Sequence, residues 1–481
     1  MTDLVIGLDV ATADVRAVAV TPDGTVVARA AAPLPPPDRG IAGRTEQKPV
    51  HPDVAETVLA QLTAEVGGSA KAVAVTATSG SVVPCSADLV PVGPALLYDD
   101  RRAGEHGSGV DPALVRTAPA LARIGWLERH LPADRYRHVS DLVVARLTGE
   151  DTPSDTSHAL KTGADPETGR WAAQLLDMAG VAESQLPRLC RPGAVVGGLS
   201  ARSASLTGLP VGTLVVLGMT DGCAGQVAAG AVRPGDAVGV LGTTLVVKVV
   251  ASRRVADQAL GVYSHLAPDG CWWPGGASNA GAGVLRSAFP DADLQALDLA
   301  AAQRGPVRAL VYPVARPGER FPFVTPDAGG WLRGEPADRD EYYRALLDGV
   351  AYVERLALDV LAAAGAPSRG ALRAVGGGSR SRPWARIRAT VLGRPLLVPA
   401  EVSSAFGAAV LAASSTVHHD LATAVDSMVR LAATVDPDPA EQPRLDDGYA
   451  RFVAALVERG WLPPAPTKNP DRSINSDPIE G

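Results

Sequence analysis

Cysteine, aromatic residues and positive charge are all scarce in this sequence of 481 residues. Its four cysteines are far apart, and no two of them have the spacing of a metal-binding or redox pair. Only 4% of the residues are aromatic, which argues against a protein that stacks on single-stranded nucleic acid. The net charge of −7 provides no basic surface for polyanions, so we expect small-molecule partners and no nucleic acid.

Two kinds of hydrophobic segment are also missing. No run of 18 apolar residues occurs, so we expect no membrane span and no membrane partner. The N-terminus carries Asp3 and Asp9 and lacks the basic region and apolar stretch of a secretory signal. Together with the unpaired cysteines, these absences lead us to expect a protein of the reducing cytoplasm.

The composition is otherwise that of a globular protein with large cores. Apolar residues make up 46% and charged residues 20%, while 50 glycines and 40 prolines indicate many tight turns. Three β-rich segments (5–10, 15–20 and 25–30) open the chain, and an amphipathic segment at 51–66 precedes a β-rich run at 72–76. This alternation predicts an α/β fold with a mostly parallel sheet covered by helices.

The hairpin pattern at the start of the chain returns near its middle. Strand-like segments at 237–241 and 245–250 enclose the turn Gly242-Thr243-Thr244, much as the first two strands enclose the loop at 9–14. We interpret this near-duplication as two related lobes that face each other across a cleft.

Three loops of small residues follow predicted strands, at 9–14, 242–244 and 376–379. Small side chains let backbone N–H groups approach a phosphate closely, and hydroxyl groups add hydrogen bonds. The three loops together therefore favour nucleotide binding, although ordinary turn chemistry is the alternative for each of them. The absence of G-x-x-x-x-G-K-[ST], and of G-x-G-x-x-G after the first strand, disfavours P-loop and dinucleotide-binding proteins.

Two aspartates end predicted strands in corresponding positions. Asp221 follows the apolar strand at 214–217, where its carboxylate could accept the proton of a substrate hydroxyl group. The alternative for Asp221 is an N-cap of the helix that follows. Asp9 ends the first strand, and it could approach the same Mg²⁺ ion from the other lobe or simply be a turn residue.

Other polar residues give weaker signals. The cluster Tyr98-Asp99-Asp100-Arg101-Arg102 follows an apolar stretch, and a solvated loop is as good an interpretation as a site. Four histidines are scattered along the chain without a spacing that suggests catalysis or a metal, namely His51, His138, His158 and His265.

Five of these segments resemble the motifs of the FGGY carbohydrate kinases, in the right order from residue 4 to about residue 415. Gly7-Leu8-Asp9-Val10-Ala11-Thr12 is similar to the opening G-x-D-x-G-T, and Tyr98 to Arg102 is similar to aromatic-x-D-x-R. Gly218 to Ala224 is similar to the G-x-x-D-x-x-A signature that bears the general base. Leu241 to Thr244 is similar to the second phosphate loop, and Gly376 to Ser381 is similar to the adenosine loop. Ala11 stands where the family usually has Gly, and Asp14 adds negative charge near the expected phosphate.

Within that family the sequence is similar to the D-ribulokinase branch of cyanobacteria and plastids. The segments that carry the similarity are 77–79, 242–248, 261–265, 275–279 and 318–322. Xylulokinases usually have a Ser-Gly-Gln-x-His-Gly element where this sequence has Ala77-Thr78-Ser79, and the difference counts against xylulokinase activity.

The resemblance implies the two-lobed actin-like ATPase (ribonuclease H-like) fold with a central cleft. It implies a sugar-binding N-terminal lobe (1–228), an ATP-binding C-terminal lobe (229–463) and a disordered tail (464–481) in a monomer or homodimer. The implied reaction is phosphorylation of the terminal hydroxyl of a ketopentose by ATP with Mg²⁺, most simply D-ribulose. A xylulokinase or another pentulose, pentitol or heptulose kinase is the enzymatic alternative, and an actin-like ATP-binding sugar sensor is the non-enzymatic one.

The same resemblance implies roles for particular residues. Asp221 is the expected general base, Asp9 and Asp221 are the expected carboxylates beside Mg²⁺, and both are expected to contact the sugar together with Ser79. The expected nucleotide-binding residues are Thr12, Gly242, Thr243, Thr244, Gly376, Gly377, Gly378 and Ser379.

Overall fold

The computed structural model describes residues 3–41 and 43–464, which form two lobes, each built around one mixed β-sheet. The predicted tail at 464–481 lies, apart from its first residue, outside the described residues. Among the helices of these two ranges, none combines the length and the apolar character that a bilayer crossing requires.

The first half of the chain supplies strands β1 to β15 and helices α1 to α8. The strands are β1 (Val5–Val10), β2 (Asp14–Val20), β3 (Val26–Pro33), β4 (Asp38–Arg39), β5 (Thr45–Gln47), β6 (Ala72–Ala77), β7 (Val82–Cys85), β8 (Ala95–Leu96), β9 (Arg135–His138), β10 (Ser154–Asp155), β11 (Ala164–Asp165), β12 (Arg170–Trp171), β13 (Leu189–Cys190), β14 (Val195–Gly198) and β15 (Leu214–Thr220). The helices are α1 (His51–Val66), α2 (Pro112–Thr117), α3 (Pro119–His130), α4 (Val139–Thr148), α5 (Thr156–Ala159), α6 (Ala173–Ala179), α7 (Ala201–Thr207) and α8 (Asp221–Ala229).

The central sheet of the N-terminal lobe has the order β14-β15-β6-β1-β2-β3. Strands β15, β6 and β1 at its centre are mostly apolar and almost entirely buried, as expected for strands that are covered on both faces. β1 and β15 both run parallel to β6, and Ala77 of β6 lies opposite Val10 on one side and Thr220 on the other. The carboxyl ends of the three strands therefore meet at one edge of the sheet.

The second half of the chain supplies the remaining elements. The strands are β16 (Ala237–Leu241), β17 (Leu245–Val249), β18 (Tyr263–Leu266), β19 (Trp272–Ser278), β20 (Leu310–Tyr312), β21 (Trp331–Arg333), β22 (Leu372–Val375), β23 (Leu396–Pro399) and β24 (Leu431–Val435). The helices are α9 (Gly283–Ala288), α10 (Leu294–Arg304), α11 (Arg339–Ala363), α12 (Arg382–Leu392), α13 (Ser404–Ser414), α14 (Leu421–Met428) and α15 (Gln442–Glu458). Short 3₁₀ turns occur at Arg102–Gly104, Leu160–Thr162, Glu183–Gln185 and Gly377–Arg380.

The central sheet of the C-terminal lobe repeats the plan of the first, as the duplicated hairpin predicted. Its order is β18-β19-β17-β16-β22-β23-β24. β16 pairs antiparallel with β17 and parallel with β22, so that Val240 lies opposite Val375. The loops at 242–244 and 376–379 consequently leave neighbouring strands at the same edge.

Two helices cross from one lobe to the other. α13, late in the chain, packs on β1 and β6 of the N-terminal sheet, whereas α8 contacts β22 and β23 of the C-terminal sheet. The two helices also pack against each other at Gly407, where a Cβ atom would collide with the main-chain carbonyl group of Ala224. The hydrophobic cluster around α13 therefore draws its residues from both halves of the sequence.

Candidate active site

Three predicted site residues lie at the carboxyl edge of the N-terminal sheet. Asp9 is the penultimate residue of β1, Ser79 lies in the turn after β6, and Asp221 directly follows β15. The parallel register of these strands brings the three side chains to one edge although they are far apart in the sequence.

The Asp9 carboxyl group is buried at this edge, and its hydrogen bonding is incomplete. Its Oδ1 atom is enclosed and has no hydrogen-bond partner among the described residues. Burial, followed by repulsion from Asp221, raises the pKa of Asp9 to about 7, while the nearby Arg16 acts in the opposite direction. The two carboxyl groups therefore lie within electrostatic range of each other.

Asp221 begins α8, and Thr220 holds the N-cap position, so the alternative interpretation of Asp221 as the N-cap is wrong. One carboxylate oxygen of Asp221 accepts a hydrogen bond from the Gly222 amide at 2.7 Å. The Ser404 hydroxyl donates to the main-chain carbonyl of Asp221 at 3.1 Å, which ties the start of α8 to α13. The carboxylate itself is partly exposed and open to a ligand.

The two carboxylates fit the chemistry of Mg²⁺. This ion is usually held by one or two carboxylates, and waters and phosphate oxygens complete its coordination. The unpartnered Oδ1 of Asp9, within electrostatic range of Asp221, supplies such a partial ligand set. Within the described ranges no cluster of three or more His, Cys, Asp or Glu side chains forms a complete metal cage, which suits an ion shared with a phosphorylated ligand.

Ser79 carries a second unpartnered group. Its hydroxyl group is buried and has no hydrogen-bond partner among the described residues. The next residue, Gly80, has a φ of +93°, and its carbonyl accepts a hydrogen bond from Arg123 at 2.9 Å. Because buried hydroxyl groups are nearly always hydrogen-bonded, Ser79 points to a ligand that supplies the missing partner.

The polar cluster at 98–102 helps to hold the turn at Ser79 and Gly80 through Arg123. The Asp100 carboxylate is buried and accepts hydrogen bonds from the Thr45 amide at 2.8 Å and from the Arg102 guanidinium at 2.7 Å. The Asp100 carbonyl lies 3.5 Å from the same Arg123 that holds Gly80. The interpretation of this cluster as a solvated loop is therefore wrong for Asp100.

The loop at 9–14, which is the expected first phosphate loop, is compact and unstrained. The Ala11 amide donates to the Asp14 carbonyl at 3.0 Å, and the φ of Ala11 lies outside the left-handed region, so its methyl group causes no backbone strain. Thr12 is half-buried, and its carbonyl accepts a hydrogen bond from Gln47 at 2.8 Å. Asp14 pairs with Arg16 at 2.9 Å, which compensates the negative charge that Asp14 adds to the loop.

A cavity of about 440 Å³ lies beside the two phosphate-type loops of the C-terminal lobe. The 242–244 turn is closed by a hydrogen bond from the Gly242 amide to the Thr244 carbonyl at 3.0 Å. The cavity is lined by Gly242, Thr243, Ala282, Gly283, Leu285, Arg286, Leu294, Gln295, Asp298, Tyr343, Gly377, Gly378, Arg380, Ser381 and Trp384. Its size and its mixture of glycines with apolar side chains suit a nucleoside.

Four of the eight predicted nucleotide-binding residues do not line this cavity, namely Thr12 of the loop at 9–14 and Thr244, Gly376 and Ser379. Thr244 is half-buried in the turn. Gly376 has a φ of +91°, and a Cβ atom there would collide with the main chain of Leu241, so glycine is required for the turn itself. The Ser379 hydroxyl donates to the Val375 carbonyl at 2.9 Å and accepts from Arg388 at 3.0 Å, so Ser379 can offer a nucleotide only its main chain.

A polar segment at 154–162, which no sequence motif indicated, is mostly buried. His158 donates from Nε2 to the Ala77 carbonyl at 3.1 Å and pairs through Nδ1 with Asp155 at 2.5 Å. Burial alone would lower the pKa of His158, but the Asp155 carboxylate raises it to about 9. A protonated imidazole ring thus holds the end of β6, two residues before Ser79.

The signal that could have revealed this segment is a repeated spacing. Asp155 and His158 are three residues apart, and so are His138 and Asp141, whose side chains lie 2.9 Å apart. In both pairs the aspartate and the histidine flank the start of a helix.

Lys161 lies in the same segment and projects towards Gly80. A Cβ atom placed on Gly80 would lie 3.6 Å from Cδ of Lys161. Desolvation by the surrounding residues lowers the pKa of the Lys161 ammonium group although the residue as a whole is exposed, while the nearby Asp221 acts in the opposite direction.

A second lysine lies beneath Asp221, across the boundary between the lobes. Lys248 of β17 donates to Sγ of Cys223 in α8 at 3.2 Å, and both side chains are buried. Burial would raise the pKa of the Cys223 thiol, but His265 and Lys248 lower it to about 5. Nδ1 of His265 also lies 3.3 Å from the Ser157 hydroxyl of the buried segment.

Comparison with known proteins identifies the family. Residues 113–228 match the N-terminal domain, and residues 237–416 the C-terminal domain, of the FGGY family of carbohydrate kinases. A xylulose kinase of Streptomyces rubiginosus is 30% identical over 95% of this chain and 98% of its own length. An autoinducer-2 kinase of Enterobacter sp. (strain 638) is 29% identical over 71% of this chain and 69% of its own.

A solved structure agrees with these sequence relatives. The crystal structure of xylulose kinase from Rhodospirillum rubrum is 30% identical and covers 95% of this chain and 99% of its own, with a TM-score of 0.83. The predicted two-lobed actin-like ATPase fold is confirmed by this likeness and by the two domain matches. The chain belongs to the FGGY family of carbohydrate kinases.

Proposed function

We propose that this FGGY carbohydrate kinase transfers the γ-phosphoryl group of ATP to the terminal hydroxyl of a ketopentose, with D-ribulose as the first candidate. The observation that carries the proposal is the convergence of Asp9, Ser79 and Asp221 at one sheet edge. Two of these residues have buried side-chain oxygens without protein partners, and the hydroxyl groups of a small sugar would supply them.

In this proposal Asp221 is the general base. Its carboxylate accepts the proton of the sugar hydroxyl while the hydroxyl oxygen forms a bond to the γ-phosphorus. The bond from that phosphorus to the β,γ-bridging oxygen breaks, and ADP departs with the electron pair. Asp9 and Asp221 would hold Mg²⁺, which when bound neutralises charge on the phosphate oxygens. The cavity beside Thr243 and Gly377 would hold the nucleoside.

The choice among pentuloses rests on two observations that point to different sugars. The segment Ala77-Thr78-Ser79 resembles the D-ribulokinase branch, and Ser79 follows β6, whose carboxyl end lies at the same sheet edge as Asp221. The relatives named xylulose kinase, at 30% identity, favour D-xylulose as the second candidate.

A panel of acceptors tests the proposal directly. Release of ADP from ATP would be followed with D-ribulose, D-xylulose, L-ribulose, ribitol and sedoheptulose, and the sugar phosphates would be identified by mass spectrometry. We expect the highest kcat/KM with D-ribulose, and a higher value with D-xylulose would assign the second candidate. Sugar-stimulated ADP release without any phosphorylated sugar would support the sensor alternative instead.

A pair of serine variants locates the sugar. Ser79→Ala should raise KM for the pentulose about 10-fold and leave KM for ATP unchanged, because one hydrogen bond to the sugar is lost. Ser86→Ala is the matched control, since the Ser86 hydroxyl only accepts a hydrogen bond from the Val90 amide in an outer turn. Equal effects of the two substitutions would contradict the placement of the sugar.

A further inference from the structure

Lys161 carries a positive charge that the reaction described above does not use. The chain contains only five lysines. Lys161 is exposed, and among the described residues its ammonium group has no hydrogen-bond partner and no carboxylate within 4.0 Å. The neighbouring cations are occupied, because Arg123 bonds to the Gly80 carbonyl and Lys248 bonds to Cys223.

The backbone that carries Lys161 is held firmly. Lys161 is the middle residue of the 3₁₀ turn Leu160–Thr162, which ends at Gly163 in the left-handed conformation. The Thr162 hydroxyl is bonded to Nε2 of the buried His138 at 2.9 Å. The rigid turn directs the side chain past Gly80, so its position does not depend on a mobile loop.

The Lys161 ammonium group and the Asp221 carboxylate influence each other without forming a direct ion pair. The two opposite charges attract each other, yet no nitrogen–oxygen separation between them is 4.0 Å or less. A ligand oxygen atom that lies between the two groups could form a hydrogen bond with each of them. A sugar hydroxyl can do this, because it donates to a carboxylate and accepts from an ammonium group.

We propose that Lys161 contacts the acceptor hydroxyl of the sugar and stabilises negative charge on its oxygen during phosphoryl transfer. The inference rests on the proposed function. The O–H proton passes to Asp221, the O–P bond forms, and the P–O bond to ADP breaks, while Lys161 keeps its own protons throughout. Such a donor acts most strongly where charge develops, so the contact is worth more in the transition state than in the bound substrate.

The surroundings of Lys161 favour the sugar over the nucleotide as its partner. Its side chain runs beside Gly80, which follows Ser79 in the turn after β6. The cavity assigned to the nucleoside is lined only by residues of the C-terminal half of the chain.

The test compares Lys161→Met, which keeps the aliphatic stem, with Lys161→Arg and with the control Lys71→Met. Lys71 pairs with Asp3 at 3.8 Å on the outer surface and takes no part in the site. We expect Lys161→Met to lower kcat/KM for the pentulose about 10- to 100-fold, mostly in kcat, and to leave KM for ATP within twofold. Lys71→Met should match the wild type in every parameter.

Chemical rescue separates a direct contact from a structural role. Adding methylammonium to Lys161→Ala should restore part of kcat in a saturable way, because the small cation can occupy the vacated position. No rescue, or a kcat/KM for Lys161→Met within threefold of the wild type, would overturn the inference while leaving the proposed function intact. A rise confined to KM for ATP would also overturn it. A wild-type protein that phosphorylates no sugar of the panel would remove the proposed function and this inference together.

Discussion

Nζ of Lys248 and Sγ of Cys223 lie 3.2 Å apart, both buried, with one residue on each side of the boundary between the lobes. Burial alone would lower the pKa of Lys248, but the Cys223 sulfur raises it. Burial would raise the pKa of Cys223, but His265 and Lys248 lower it to about 5, which favours a thiolate beside the Lys248 ammonium group. Because Cys223 lies two residues after Asp221, this pair fixes the helix that carries the candidate base to a strand of the other lobe.

Substitution of Cys223 and substitution of Lys248 should lower the stability of the protein by different amounts. Cys223→Ala leaves a buried ammonium group without a counter-charge and should lower the free energy of unfolding by about 3–5 kcal/mol. Lys248→Met should have a smaller effect, since the thiolate can take up a proton and become neutral. Urea denaturation measures both effects. Cys85→Ala is the control, because burial keeps the Cys85 thiol neutral by raising its pKa to about 12. A larger loss for Lys248→Met than for Cys223→Ala would contradict the charged pair.

Asp221→Asn should abolish sugar phosphorylation while the fold and nucleotide binding remain. The amide is nearly isosteric but cannot accept the proton, and general bases contribute about 100- to 10,000-fold to rates. Steady-state kinetics and ATP titration measure the two properties. Asp14→Asn serves as the control, because Asp14 is also acidic and close to the first phosphate loop but is paired with Arg16. Turnover of Asp221→Asn within threefold of the wild type would rule out the assignment.

Ala11→Gly restores the usual family residue in the first phosphate loop. The φ of Ala11 is already outside the left-handed region, so glycine should lower stability by about 0.5–1 kcal/mol through backbone entropy. Removal of the methyl group should leave ATP binding equal or tighter and should not change KM for the sugar. Thermal melting and ATP titration provide the two readouts. Weaker ATP binding would show that neither Ala11 nor Thr12 faces a phosphate.

The stability of the protein should fall in mildly alkaline solution because of His158. Its pKa of about 9 in the folded state lies above the unfolded value of about 6.5, so its contribution is complete below pH 6.5. The contribution, up to about 3 kcal/mol, should disappear as the pH rises from about 6.5 through 9. Denaturation at a series of pH values should show this slope in the wild type and in His419→Gln, a surface control. A slope that persists in His158→Gln would assign it to another group.

The elements with a regular local pattern could be predicted from the sequence. The helix at 51–66 and the strand at 237–241 have the bounds that the sequence pattern predicted. Asp9 and Asp221 could be found as well, because each follows a strand of buried residues, where ligands of α/β sheets bind.

The segment at 154–162 could not be predicted in the same way. Its sequence is polar and has no regular pattern, yet its side chains are mostly buried. The partners that bury them lie far away in the sequence, such as Ala77 for His158 and His265 for Ser157. Polar residues with distant partners leave no periodicity in the sequence, so neither Lys161 nor His158 could be assigned to the site.

The packing of α8 and α13 against the opposite lobes affects how the two halves of the chain fold. α8 leaves the N-terminal half to cover β22 and β23, and α13 leaves the C-terminal half to cover β1 and β6. Either half synthesised alone would lack the helix that shields its sheet. The two halves, expressed as separate fragments, should therefore acquire native structure only when they are mixed. The intact chain should unfold in a single cooperative thermal transition although it has two lobes.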